Sequence, residues 1–217
     1  MSVTSPEPKP RTPARRGPDR RAGIELLIAM VAVMWLVELV NTFDHYALDR
    51  DGIWPHDVGR LWGIVTAPFL HASWAHLIGN TIPFVFLGVI IALEGLRRLA
   101  AVTVIVIVLG GLGTWLLSSA GTPVVGASGV VFGYATYLLA RGFFSRNVLE
   151  LVVGAVVVAV FGTALLSSLV PQGHVSWQGH LSGGIAGLIA AWALSADRRR
   201  GDTSPGSRSP TGSALVR

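Results

Sequence analysis

The chain consists of long apolar runs separated by short polar and basic stretches. Six of these runs approach the ~20 residues that a helix needs to cross a bilayer. They cover residues 24–43, 76–94, 98–118, 128–143, 148–169 and 177–195. The end segments 1–22 and 198–217 are rich in Pro, Arg, Ser and Gly, a composition that predicts disordered cytoplasmic tails. The pattern therefore predicts an all-α integral membrane protein with six transmembrane helices within residues 23–197.

The composition supports a membrane protein and argues against several other classes. Hydrophobic residues make up 51% of the 217 positions and charged residues only 13%, against about 25% charged in a typical soluble protein. The basic residues behind the net charge of +5 lie in tails and short turns, so no nucleic-acid partner is expected. The absence of cysteine excludes disulfides, thiol nucleophiles and Cys-ligated metals.

The distribution of lysine and arginine predicts the orientation of the helices. Fifteen of the 17 basic residues lie in the two tails or in the turns after the second and fourth segments. Only Arg50 and Arg60 lie in the opposite set of loops. Because basic loops stay on the cytoplasmic side, both termini are expected in the cytoplasm of a multi-pass protein of the cell membrane. The loop 44–75 is then extracytoplasmic.

Ser128 opens the fourth segment, which is unusually short. From Ser128 to the basic turn after residue 143 the chain has room for about 16 residues, or ~24 Å of helix, against a hydrocarbon core of ~30 Å. The preceding stretch 118–127 must then dip below the outer surface, which irregular backbone tolerates only inside protein or beside water. Ser128 is therefore expected at a helix N-terminus, buried in the membrane but near outside water.

A serine hydroxyl needs an adjacent base to act as a nucleophile, and His180 is the strongest candidate among six histidines. It lies about one turn into the sixth segment, at a depth similar to that of Ser128, and an ionisable residue within a spanning segment is a functional candidate. Small residues that allow close helix packing follow both side chains: Gly129 and Gly133 after Ser128, and Gly183, Gly184 and Gly187 after His180.

Acyl transfer also needs hydrogen-bond donors for the developing oxyanion. The backbone N–H of Ser128 is one candidate, because it lies at a helix N-terminus. His76 and Asn80 are two more, since they lie one helical turn apart on one face at the outer end of the second segment. The four features agree in depth and in side of the membrane.

The same residue types also suit purely structural roles. Serine and glycine serve ordinary helix packing in membranes, and a buried histidine or Asn80 can bond a neighbouring helix. A metal site is not expected, because His71 and His76 lack an HExxH pattern and a following acidic ligand. A non-catalytic transporter or client-binding membrane protein is the main alternative, although a transporter favours polar groups near mid-membrane. The acidic residues near segment ends are expected to pair or snorkel: Glu25, Glu38 and Glu94.

Over about residues 60–190 the chain resembles the rhomboid intramembrane serine proteases. The sequence TAPFLHASWAHLIGN at 66–80 is similar to that family's loop and His-x-x-x-Asn signature. GASG at 126–129 is similar to its Gly-x-Ser-Gly nucleophile motif, and GHLSGGIAG at 179–187 to its catalytic-histidine helix. The resemblance implies a six-helix, rhomboid-like bundle of the basic bacterial type.

The same resemblance implies a role for each candidate residue. Ser128 is expected to be the nucleophile and His180 its base, in a dyad without an aspartate. His76, Asn80 and the Ser128 amide are expected to form the oxyanion hole.

The resemblance also implies substrates and a substrate-binding surface. Gly126, Ala127 and Phe132 are assigned to that surface, and no cofactor or metal is expected. The substrates are expected to be single-pass transmembrane proteins held in the lipid bilayer and cut on the extracytoplasmic side. A client-binding rhomboid-like protein remains the alternative, and the oligomeric state is open.

Two positions depart from the pattern of the family. Many members carry Trp-Arg in the first loop, where this chain has Trp62 followed by Gly63. The contacts of that arginine are therefore expected to be absent or to be supplied by Arg60. Many members also carry a tyrosine four residues after the nucleophile, where this chain has Phe132. The phenyl ring is still expected to stack on His180.

Overall fold

The computed structural model describes residues 19–167, 169–170 and 176–202, so most of both predicted tails lies outside the described residues. Within this part of the chain, each predicted apolar segment forms a long helix. These are α1 (Arg20–Phe43), α2 (Trp74–Ala92), α3 (Leu96–Leu117), α4 (Ser128–Ser145), α5 (Val148–Ser167) and α6 (Trp177–Asp202).

Three of the long helices, α1, α2 and α3, are long and apolar enough to cross a membrane. A shorter apolar stretch, Val148–Thr163, lies within α5. Large apolar side chains on the outer surface of the bundle are exposed, as expected for a surface in contact with lipid: Ile28, Leu36, Val156 and Leu166. That all six helices span a membrane, with both termini in the cytoplasm, stays a prediction.

Polar caps explain where the first two helices begin. The Asp19 side chain accepts a hydrogen bond from the Ala22 amide at 3.1 Å, so α1 starts at Arg20, before the apolar segment itself. Ser73 accepts a hydrogen bond from the His76 amide at 3.2 Å and caps α2. Helix α4 begins at Ser128, as the sequence predicts.

Helix α4 occupies the centre of the bundle, where it packs against α2, α3, α5 and α6. Its Tyr134 is fully buried, stacks on Phe84 at 5.5 Å and shares a 2.6 Å hydrogen bond with Thr103 of α3. Helix α3 widens to a π-helical turn at Val106–Gly110, beside α4 and α6. The nucleophile candidate therefore stands on the most deeply buried helix.

The loop between α1 and α2 is tied to the loop between α3 and α4. Ile53 and Val124 exchange two backbone hydrogen bonds of 2.9 Å as an isolated antiparallel bridge. Arg60 lies over the Trp54 ring at 4.9 Å and pairs with Asp57 at 3.6 Å. Arg60 thus does supply contacts within the first loop.

A cluster of charged residues joins α2, α4 and α5 at the end of the bundle that lies opposite Ser128. Arg141, near the end of α4, pairs with Glu94 after α2 and lies 3.9 Å from the carboxylate of Glu150 in α5. Ser145 donates a 2.7 Å hydrogen bond to Glu150. The Arg141 side chain is only 9% exposed, so this cluster is largely shielded from solvent.

The three glutamates near segment ends behave differently. Glu25 pairs with Arg21 and Glu94 with Arg141, so the expected pairing is observed for both. For Glu38 the expectation is wrong. Its side chain is fully buried in α1, and neither carboxylate oxygen has a hydrogen-bond partner among the described residues.

Candidate active site

Ser128 follows a sharp turn of the backbone. Gly126 has φ +117°, a backbone conformation that residues other than glycine rarely adopt. A Cβ at Gly126 would also lie 2.7 Å from Cε1 of His76. The glycine therefore permits both the turn and the close approach to His76, two residues before α4 begins at Ser128.

His180 lies against the first turn of α4. Its ring stacks on Phe132, one turn after Ser128, with centroids 4.4 Å apart and an interplanar angle of 7°. This stack was expected from the sequence. His180 is only 5% exposed, so its imidazole is largely shielded from bulk solvent.

Glycines allow α4 and α6 to approach at the depth of Ser128 and His180. A Cβ at Gly183 would overlap the Gly129 carbonyl, and one at Gly187 would overlap the Gly133 carbonyl. Thr136 adds a 2.8 Å hydrogen bond to the carbonyl of Gly184. The predicted small-residue faces do form the helix contact.

His76 and Asn80 lie close to Gly126, in the turn that precedes Ser128. Asn80 donates from Nδ2 to the His76 carbonyl at 3.0 Å and is only 6% exposed. A Cβ at Gly126 would lie 2.8 Å from Nε2 of His76 and 3.8 Å from Nδ2 of Asn80. Both side chains thus have donor groups within reach of the backbone that leads into Ser128.

One cavity of about 540 Å³ connects these residues. Six of the predicted site residues line it: His76, Asn80, Gly126, Ser128, Phe132 and His180. Apolar side chains from the α1–α2 and α3–α4 loops, including Ile53, Ile64 and Val124, line the same cavity. Ala127 is fully buried behind the turn and is not in the cavity lining, so its assignment to the substrate-binding surface stays a prediction.

His71 contacts this site without lining the cavity, and the sequence gives it no special role among the six candidate bases. It is fully buried, and its Nε2 accepts a hydrogen bond from the Ala127 amide at 3.4 Å. Its ring packs edge-on against His76 at 5.1 Å. Burial lowers the pKa of His71 to about 3, and the charge of His76 contributes to this lowering, so the ring is neutral.

The described residues contain no group of three or more His, Asp or Glu side chains that could hold a metal ion. The arrangement instead combines a hydroxyl, an imidazole and several hydrogen-bond donors around one cavity. That set matches the requirements of acyl transfer through a serine nucleophile.

The chain is similar to one family model and to several known proteins. The family model described as Rhomboid domain matches residues 58–197. An uncharacterised protein of Mycobacterium tuberculosis, Rv1337, is 42% identical over 211 residues, covering 92% of this chain and 88% of the relative. YdcA of Bacillus subtilis, named a putative rhomboid protease, is 24% identical over 174 residues, covering 78% of this chain and 86% of YdcA.

Proposed function

The chain belongs to the rhomboid family, and we propose that it is an intramembrane serine endopeptidase that cuts membrane-anchored proteins near the outer face of the membrane. The observation that carries the proposal is the stack of His180 on Phe132 beside the helix start at Ser128. The stack supports the proposal because it holds His180 against the helix that Ser128 begins, and both residues line a cavity with His76 and Asn80.

The proposed reaction uses His180 twice. Its neutral imidazole takes the proton of the Ser128 hydroxyl as the oxygen attacks the scissile carbonyl, and the imidazolium then protonates the leaving amine. An acyl-enzyme on Ser128 remains. His180 next removes a proton from water, which attacks the ester, and returns that proton to Ser128 as the acid product leaves.

The developing oxyanion needs fixed donors. The Ser128 amide lies at the positive end of the α4 dipole, and His76 and Asn80 lie across the turn at Gly126. Donors that are already oriented stabilise the transition state without reorganisation, which makes this contribution large. Asn80 donates to the His76 carbonyl here and has a second amide hydrogen for an oxyanion.

The proposed substrates are single-pass transmembrane proteins that can unwind near the outer face. An intact helix pairs its interior carbonyls, and unwinding in hydrocarbon leaves polar groups unpaired at several kcal/mol each. Cleavage should therefore favour spans with Gly, Pro or polar residues near their outer end.

A non-catalytic, client-binding member of the family is the competing function. Both chemical partners, Ser128 and His180, are present and line one cavity, which supports catalysis. Labelling of purified protein with a fluorescent fluorophosphonate separates the two, since the probe reacts with an activated serine. The proposal predicts labelling that is lost in Ser128→Ala and His180→Ala. Equal labelling of Ser128→Ala and wild type would overturn the assignment, as would a wild type that neither labels nor cleaves.

A further inference from the structure

The backbone before Ser128 is held at three successive points. The Gly126 amide donates to the Ala67 carbonyl at 2.9 Å, the Ala127 amide donates to Nε2 of His71 at 3.4 Å, and the Ala127 carbonyl accepts from the Val131 amide at 3.0 Å. The first and third bonds are backbone to backbone. The second depends on a side chain.

We infer that His71 is a positioning residue for the proposed reaction: as a neutral imidazole it holds the Ala127 amide and thereby orients the backbone N–H of Ser128 toward the oxyanion. This inference rests on the proposed function and assigns a role within the same site. The Ala127 N–H belongs to the Gly126–Ala127 peptide group, which is planar. A hydrogen bond that holds this N–H therefore also holds the orientation of the whole peptide group just before α4 begins.

The chemistry requires one particular form of the ring. An imidazole nitrogen accepts a hydrogen bond only when it carries no proton, so Nε2 must be bare and the proton must lie on Nδ1. The lowered pKa of His71, caused mainly by burial, keeps the ring neutral. The Phe69 backbone opposes this lowering of the pKa without reversing it, and Nδ1 has no hydrogen-bond partner among the described residues.

The position of His71 couples it to a second donor. Its ring contacts the His76 ring at 5.1 Å, and His76 in turn lies against Gly126. One buried histidine thus contacts the residue before the Ser128 amide and the ring of His76, which are next to or part of the proposed oxyanion hole. A displacement of ~1 Å at a catalytic site costs about 10²-fold in rate, so loss of this support should lower turnover.

Two substitutions separate positioning from simple packing. In His71→Gln the side-chain oxygen can replace Nε2 as an acceptor, and turnover should stay within about threefold of wild type. In His71→Leu the acceptor is gone, and turnover should fall by about 10- to 100-fold with little change in KM. Tyr134→Phe removes a buried hydrogen bond to Thr103, outside the cavity, and serves as the control that lowers stability without lowering turnover.

A readout that does not need activity keeps this inference separate from the proposed function. Nitrogen-15 NMR of ring-labelled histidine should show one neutral Nδ1–H tautomer at pH 7 that disappears in His71→Gln, and the Ala127 amide should exchange faster in His71→Leu. An Nε2–H tautomer or a protonated ring would overturn the inference even if wild-type enzyme cleaves. Equal turnover of His71→Leu and His71→Gln would also overturn it. If wild type is inactive but the tautomer is as expected, the proposed function fails and the hydrogen bond stands.

Discussion

The rings of Phe132 and His180 lie parallel, with centroids 4.4 Å apart and planes 7° apart. Both residues are largely buried, and Phe132 is one helical turn from Ser128. The stack restricts rotation of the imidazole, which supports the proposed role of His180 as the base. The phenyl ring suffices for this, which explains how the site accommodates phenylalanine where many family members carry tyrosine.

Changing the stacked ring tests this role. We expect Phe132→Tyr to keep turnover within about threefold of wild type, because the stacked ring is retained. Phe132→Leu should lower turnover about three- to tenfold, in line with the ~0.5–1.5 kcal/mol typical of an aromatic pair. Phe143→Leu, an exposed position on the same helix, is the matched control. Equal turnover of the Leu and Tyr variants at position 132 would rule out a stacking role.

Two adjacent glycines on α6 provide a second test. Gly183→Ala would drive a methyl group into the Gly129 carbonyl, so it should separate α4 from α6, abolish cleavage and lower the melting temperature. Gly184→Ala would meet only the Thr136 methyl at 3.5 Å, an ordinary contact, and should be tolerated. The measurements are cleavage rate and thermal unfolding in one detergent. Similar behaviour of the two variants would contradict the close helix contact.

Removing one oxyanion donor should slow the chemical step. Asn80→Ala is expected to lower kcat by ~10²–10³ with little change in KM, because the donor acts mainly in the transition state. Thr81→Val removes a neighbouring polar group that bonds Leu77 and Trp35 and does not line the cavity. It should leave kcat unchanged. A higher KM with normal kcat in Asn80→Ala would identify Asn80 as a substrate-binding or packing residue.

The charge cluster at the far end of the bundle should matter for stability. Arg141→Met leaves Glu94 and Glu150 without their shared arginine in a shielded environment, and breaking such a buried pair typically costs about 3–5 kcal/mol. Arg21→Met breaks the exposed pair with Glu25 and should cost at most about 1 kcal/mol. Denaturant unfolding of both variants compares these costs. If the Arg141→Met variant were as stable as the Arg21→Met variant, the cluster would be dispensable for stability.

The sequence predicts features that repeat or that lie close together along the chain. The start of α4 at Ser128 follows from the short fourth segment, and the α4–α6 contact follows from glycines at helical spacing. The contacts by which the loops support the site could not be predicted in this way. The Ile53–Val124 bridge and the His71–Ala127 hydrogen bond join residues far apart in sequence, and no local pattern specifies such pairs.

Buried polar groups were likewise difficult to predict. Glu38 lies one turn before the end of α1, where a long side chain could reach water or a partner, yet it is fully buried. Whether a polar side chain is covered depends on the packing of the loops and of α2 against α1, which hydropathy does not encode. The interpretation of His71 as a poor metal ligand missed its contact with Ala127 for the same reason.

The proposed function requires that Ser128 and His180 together cleave a peptide bond in a membrane-anchored protein. The direct test is mass spectrometry of a single-span substrate carrying Gly or Pro near its outer end, reconstituted in liposomes with purified wild type, Ser128→Ala, His180→Ala or the double variant. We expect two discrete products with wild type and none with any variant, since residues that act as one unit are not additive. Substantial product formation by Ser128→Ala, or intact substrate with wild type, would contradict the proposed function.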